Sequence, residues 1–252
     1  MSSSRTTELT RRPVSVPAIA SSKVRRGADP LVMVTAYDAP GARVAEAAGV
    51  DMILVGDSLA MVVLGYEDTL QVTVADMAHH VAAVARAKPA ALIVGDMPWM
   101  SYHVSAAETV ANAAALIRAG AQCVKLEGGA KRTAMVEAIV DAEIPVMGHI
   151  GLTPQSVNAL GGFKVQGKDV AAARELVESA KALEAAGCFK SARAVYEFVE
   201  WGAAYLTGEQ ANDFLGTQGD PWDTQKDMAL CSIGALLSLV LLSRRHDREL
   251  GS

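Results

Sequence analysis

The sequence predicts an α/β fold in which a parallel sheet is covered by helices, and three observations predict it. From residue 31 onward, short and fully apolar runs alternate with longer amphipathic stretches, the pattern of strands buried on both faces by crossover helices. Polar and glycine residues follow four of those runs: Asp38; Gly56, Asp57 and Ser58; Gly95 and Asp96; Glu127, Gly128 and Gly129. Both α/β barrels and doubly wound sheets place their chemistry at that end of the strands. The third observation is bulk composition. With 252 residues, 51% hydrophobic and 20% charged, the chain has the length and apolar content for a sizeable core and lies outside the disordered class.

The elements follow in order. Residues 1–28 are polar and carry Arg11, Arg12, Pro13, Pro17, Lys23, Arg25 and Arg26, which reads as a loose tail. Strands are expected at 31–35, 52–55, 91–94, 123–126 and 145–147. The helices between and after them are expected at 39–48, 74–87, 106–119, 133–142 and 170–186. That makes five βα units, where a closed barrel needs eight. Beyond Phe189 the character changes. Residues 190–219 are charged and glycine-containing with no apolar run at strand spacing, and 214–223 is turn-rich. Residues 228–243 are sixteen in a row without charge, closed by Arg244, Arg245 and His246. As a helix they would span roughly 24 Å at ~1.5 Å per residue, short of the ~30 Å hydrocarbon core. This segment is either a buried helix or a short membrane helix, and in the second case the arginines place its C-terminus in the cytoplasm.

Several function classes are disfavoured. A formal net charge of -5 argues against a nucleic-acid surface, which concentrates Lys and Arg. Cys123, Cys188 and Cys231 form no CxxC pair, so neither a zinc ribbon nor a disulfide framework is expected and a reducing cytoplasm fits. No secretory signal is visible at the N-terminus.

Three acids, Asp57, Asp96 and Glu127, follow three different strands. In a parallel barrel they converge on one rim, where they repel unless a cation lies among them. Hard oxygen ligands suit Mg²⁺, which as a Lewis acid would stabilise the enolate of a chelated 2-oxo acid. The competing reading makes them helix N-terminal caps. Lys125 and Glu127 are two apart on a strand and share a face. A lysine facing a barrel interior needs a partner, either a substrate carboxylate or an interior acid. Ser58 either donates to a bound oxygen or caps a helix. His149 reads as a hydrogen-bonded structural residue; His79, His80 and His103 lack metal-ligand spacing and read as surface or helix-packing residues. The glycine-containing loop 161–167 either covers substrate or merely connects, and it lacks the features of a phosphate cradle.

The stretches VTAYD (34–38), VGDSL (55–59), VTVAD (72–76), GDMP (95–98), VKLEGG (124–129), GHIGLTPQSV (148–157), GGFKVQG (161–167) and ALEAAG (182–187) together resemble the ketopantoate hydroxymethyltransferase family. The resemblance covers residues 29–189. It implies a (β/α)8 TIM barrel, here cut to about five βα units, assembled as a cytoplasmic homo-oligomer. It implies transfer of a hydroxymethyl group from methylenetetrahydrofolate to 3-methyl-2-oxobutanoate, in pantothenate synthesis. Asp57, Asp96 and Glu127 match the family's magnesium positions; Asp57, Ser58, Asp96 and Lys125 match its oxo-acid contacts. The family's general base, a glutamate on the sixth strand, has no counterpart after Phe189, and Glu197 and Glu200 stand in a stretch unlike the family, so no catalytic base is assigned. The segments WGAAY (201–205) and FLGTQGDPWDTQKDM (214–228), with the apolar run that follows, resemble the C-terminal end of a family of small bacterial inner-membrane proteins. The expected layout is therefore a tail (1–28), a partial barrel (29–189) and an unrelated helical segment (190–252) with membrane contact through 228–243. The alternative to an active transferase is an inactive chimera.

Overall fold

The computed structural model describes residues 11–22, 31–162 and 170–191. Six strands, β1 (Met33–Thr35), β2 (Met52–Val55), β3 (Leu92–Asp96), β4 (Cys123–Glu127), β5 (Val146–His149) and β6 (Lys190–Ser191), form one sheet in sequential order. Every neighbouring pair is parallel. The helices are α1 (Val16–Ser21), α2 (Ala39–Ala47), α3 (Leu59–Val62), α4 (Val74–Ala85), α5 (Ala106–Ala119), α6 (Thr133–Asp141), α7 (Val157–Leu160) and α8 (Val170–Ala185).

The alternation of side chains along each strand explains why the apolar runs are continuous. Ile53, Val55, Ile93, Val124, Leu126 and Val146 pack outward against Met77, Leu116, Ile139 and Leu183 of the helices. Their neighbours Met52, Leu92, Val94, Cys123 and Met147 form a second, inner cluster. Helix starts are set locally. Asp38 accepts from Gly41 N ahead of α2, Thr73 and Asp76 form a reciprocal capping box on α4, and Ser105 accepts from Glu108 N on α5. Gly148 in β5 is required by packing, because a Cβ there would lie 2.7 Å from Leu183 Cδ1 of α8.

Two expectations are corrected. Residues 11–22 are not a loose tail. Ser15 caps α1, Val14 N donates to Ala90 O at 2.7 Å, Arg11 pairs with Asp51, and Ile19 is buried in the inner cluster beside Val14 and Val16. The apolar positions are too few for a periodic signal, yet they suffice to plug the end of the sheet opposite Asp57, Asp96 and Glu127. A sixth strand also begins directly after Phe189. Lys190 and Ser191 pair in parallel with Met147 and Gly148, because backbone bonds make a strand without an apolar run, and Lys190 Nζ reaches Ser22 O at 2.7 Å. The expected segment 190–252 lies outside the described residues beyond Ser191, as do the candidate membrane helix 228–243, Glu197, Glu200 and most of the loop 161–167. Among the described residues, no helix is long and apolar enough to cross a membrane.

Candidate active site

Three interior strands deliver the expected residues to one place. Asp57 follows β2, Asp96 ends β3, and Lys125 and Glu127 lie two apart at the end of β4, facing the same side as the spacing requires. All four are buried. Lys125 Nζ lies 2.8 Å from Asp96 Oδ1 and 3.8 Å from Glu127 Oε1. Asp57 N donates to Asp96 Oδ2 at 3.1 Å. Of the two readings of Lys125, the interior ion pair is therefore present in the protein itself. None of the three acids is a helix cap: Ser58 precedes α3, Ser105 caps α5, and Gly129 precedes the short turn at Ala130–Arg132. Ser58 forms no cap bond either; its hydroxyl lies 2.9 Å from the Tyr37 hydroxyl. His80 Nδ1 holds the Tyr37 carbonyl at 2.7 Å, a packing role as expected.

Glu127 is the most constrained carboxylate. Oε1 lies 3.1 Å from His149 Nδ1, and Oε2 accepts from Gln155 N at 3.0 Å. An imidazole nitrogen that donates to Glu127 cannot also accept from Lys125, so the 3.5 Å approach of Lys125 Nζ to the same Nδ1 is a contact, not a second bond. Two residues that sequence reasoning did not single out complete the network. Gln155 Nε2 donates to Asp57 Oδ2 at 2.8 Å and to Met97 O at 2.9 Å, while its Oε1 accepts from the Tyr102 hydroxyl at 2.5 Å. The Tyr102 oxygen in turn accepts from Glu127 N at 3.1 Å. Both amide hydrogens and the amide oxygen of Gln155 are used, so its orientation is fixed. The signal for Gln155 was its place in the 148–157 stretch; for Tyr102, a buried phenol must find partners.

The electrostatics follow from three carboxylates facing one ammonium. Burial raises the Asp96 carboxyl well above the ordinary range, and Asp57 and Glu127 add to this against Lys125. Burial also raises Asp57, opposed by Lys125. Burial likewise penalises ionised Glu127, but the His149 hydrogen bond and Lys125 outweigh it and hold that carboxyl below its usual range. For Lys125, burial is opposed by Asp96, Glu127 and Asp57, which together keep it above the ordinary lysine range. Burial pushes the Tyr102 phenol well up, with Glu127 adding to the effect.

The acids expected to bind a metal face the Lys125 ammonium. Among the described residues, no group of three or more His, Cys, Asp or Glu side chains stands so as to hold a metal ion. The reason is local: the Lys125 ammonium occupies the space between Asp96 and Glu127. The donor chemistry still fits a hard divalent cation, because two buried carboxylates, Asp57 and Asp96, adjoin and are undercompensated by one ammonium. Mg²⁺ is commonly held by one or two carboxylates and keeps its other positions for water or substrate.

A parallel α/β sheet with a buried carboxylate–lysine cluster at its strand C-termini is the arrangement of an α/β-barrel enzyme. Residues 14–205 match the family profile described as ketopantoate hydroxymethyltransferase, and the chain belongs to that family. It is 62% identical over 201 residues to the 3-methyl-2-oxobutanoate hydroxymethyltransferase of Ignicoccus hospitalis, covering 79% of this chain and 75% of that protein. It is 60% identical over 159 residues to the enzyme of the same name from Methylobacterium sp., covering 63% of this chain and 55% of the relative. The chain thus spans between about half and three quarters of the length of these two relatives. The phosphoenolpyruvate phosphomutase of Streptomyces platensis shares the fold, with a TM-score of 0.54 at 15% identity over 90% of this chain and 86% of that one. Residues 178–248 match a second family, described as "Predicted membrane protein", which overlaps the first over 178–205.

Proposed function

We propose that the chain binds 3-methyl-2-oxobutanoate at the Asp57–Asp96–Lys125–Glu127 cluster and transfers to it a hydroxymethyl group from methylenetetrahydrofolate, giving ketopantoate. The observation that carries this reading is the buried cluster itself, three acids and a lysine from β2, β3 and β4 closing within hydrogen-bond and ion-pair distance in a chain of this family. Asp57 and Asp96 would hold Mg²⁺, with Glu127 anchoring Lys125 beside them. A cation there supplies Lewis acidity that makes the C3 proton of a chelated 2-oxo acid easier to remove. Lys125 neutralises the charge of the substrate carboxylate, and Ser58, held by Tyr37, donates to a substrate oxygen. Gln155 fixes Asp57 by its Oδ2, which leaves the other carboxylate oxygen for the ion. No described residue is assigned to removal of the C3 proton. A homo-oligomer in the cytoplasm belongs to the same proposal.

The test is ketopantoate formation by the purified chain with Mg²⁺, the oxo acid and methylenetetrahydrofolate, against Asp57→Ala. Metal-dependent product above that control supports the transferase; product equal to the control rejects it. A second reading, an inactive fusion of a partial barrel (29–189) with a membrane-attached segment (190–252), is favoured by the separate match of residues 178–248. Sedimentation of the chain with membranes and its release only by detergent would support that reading; detergent-free solubility would count against it.

A further inference from the structure

Beside the carboxylate cluster lies a cavity of about 290 Å³ whose walls include Trp99, His103, Arg132, Gln155 and Asn158. Gln155 is the partition: its amide is bonded to Asp57 on one side, and it lines the cavity on the other. Two side chains dominate the wall. The Trp99 indole is 41% exposed, and it precedes Met100, a non-glycine residue held at φ +66°. Such a conformation is strained and persists where the surroundings impose it. The Arg132 guanidinium lies 5.9 Å over the Tyr102 ring and has no carboxylate partner among the described residues. Its placement is built in, because Gly128 at φ +112° leaves the room that the Arg132 stem fills; a Cβ there would lie 2.8 Å from Arg132 Cγ.

A flat aromatic surface, a fixed cation and an amide around one concavity match a planar nitrogen heterocycle with carbonyl or anionic groups on its edge. We propose that this cavity is the subsite of the one-carbon donor: its heterocycle stacks on Trp99 and its acceptor edge meets Arg132 and Asn158, one side chain away from the oxo acid. This rests on the transferase reading above and adds to it a location and residues for the second substrate. Gln155 then touches both ligands, so the donor's carbon is delivered past the residue that positions Asp57.

The test titrates tetrahydrofolate, and separately 3-methyl-2-oxobutanoate, into the Mg²⁺-loaded full chain by calorimetry. Trp99→Ala and Arg132→Ala each weaken tetrahydrofolate binding roughly tenfold or more, the scale of one charge-assisted bond or one lost stacking surface. Both leave oxo-acid affinity within about twofold. Trp99→Phe, which keeps a ring, falls between. Asp57→Ala shows the reverse pattern, losing the oxo acid and keeping tetrahydrofolate. Unchanged tetrahydrofolate binding in both Trp99→Ala and Arg132→Ala overturns the proposal. Wild-type chain that binds the oxo acid but not tetrahydrofolate overturns it and leaves the carboxylate site standing. Binding of neither ligand overturns the transferase reading and this subsite with it.

Discussion

Replacing Lys125 with methionine keeps much of the side-chain volume and removes the ammonium that stands among the three buried carboxylates. At an effective dielectric of about 20, unit charges at 2.8 Å and 3.8 Å attract by about 6 and about 4 kcal/mol, before the cost of desolvating the ammonium. The net loss on breaking a buried pair by deleting one partner is about 3–5 kcal/mol, a large share of a domain's stability. The loss depends on pH, and its sign is fixed. Asp96 already titrates above its unfolded value, and removing Lys125 raises it further. A carboxyl raised in the folded state favours folding when protonated, so the variant loses stability as pH rises from the unfolded value, about 3.9, through the folded one. Urea unfolding followed by circular dichroism should show a deficit of about 3–5 kcal/mol at pH 7.5 and a smaller one at pH 5. A deficit below about 1 kcal/mol at pH 7.5, or one that grows on acidification, would refute the placement of Lys125 between the acids.

Tyr102→Phe strands Glu127 N and Gln155 Oε1; leaving buried groups unpaired costs about 1–3 kcal/mol each, and a double-mutant cycle with Gln155→Ala should show strong coupling. Gly148→Ala drives a Cβ to 2.7 Å from Leu183 Cδ1, an overpacking worth about 1–3 kcal/mol, which Leu183→Ala in the same chain should partly relieve. The Cys123 and Cys188 thiols, pushed up to about 12 by burial, should resist iodoacetamide at pH 8 in the native chain and react on unfolding. Because their folded values exceed the unfolded ones, stability they contribute is lost as pH rises from about 8.5 toward 12. Mn²⁺ binding read by electron paramagnetic resonance should weaken at least tenfold in Asp57→Asn and in Asp96→Asn, and undiminished binding in both would dissociate these acids from the ion.

The sheet was legible because buried parallel strands write themselves as unbroken apolar runs, and the five strands from β1 to β5 stand where those runs stand. The site was legible as far as strand periodicity reaches: Lys125 and Glu127 share a face because they are two apart. Periodicity does not say where a long side chain ends, and so it left open whether Lys125 meets a substrate carboxylate or an interior acid; the structure pairs it with Asp96 and Glu127. Gln155 escaped for a related reason. It comes from the 3-10 turn Pro154–Ser156 and meets Asp57, 98 residues earlier in the chain, and no local pattern encodes that closure. Residues 11–22 and β6 were missed because a single buried Ile19 and a two-residue strand lie below the length at which apolar patterning carries a signal.

The order at the site and the exposure at the sheet's edge are separate physical problems. Asp57, Asp96, Lys125 and Glu127 stand on or directly after β2, β3 and β4, each hydrogen-bonded to a neighbour on both sides, and Gln155 arrives just beyond β5. Their mutual distances are therefore set by pairings within the described residues. β1 is in a different position: among the described residues it pairs with β2 alone, and Val32 and Val34 are 44% and 42% exposed. An exposed apolar edge invites association without altering the pairings of β2, β3, β4 and β5 that place the carboxylates. Ligand binding at the cluster and turnover by the chain can consequently part company. The first needs only β2 to β5 and the loop after them; the second also needs a base, which none of these elements supplies. Intact oxo-acid binding without product would thus point to proton removal, not to a disordered site, as the step that fails.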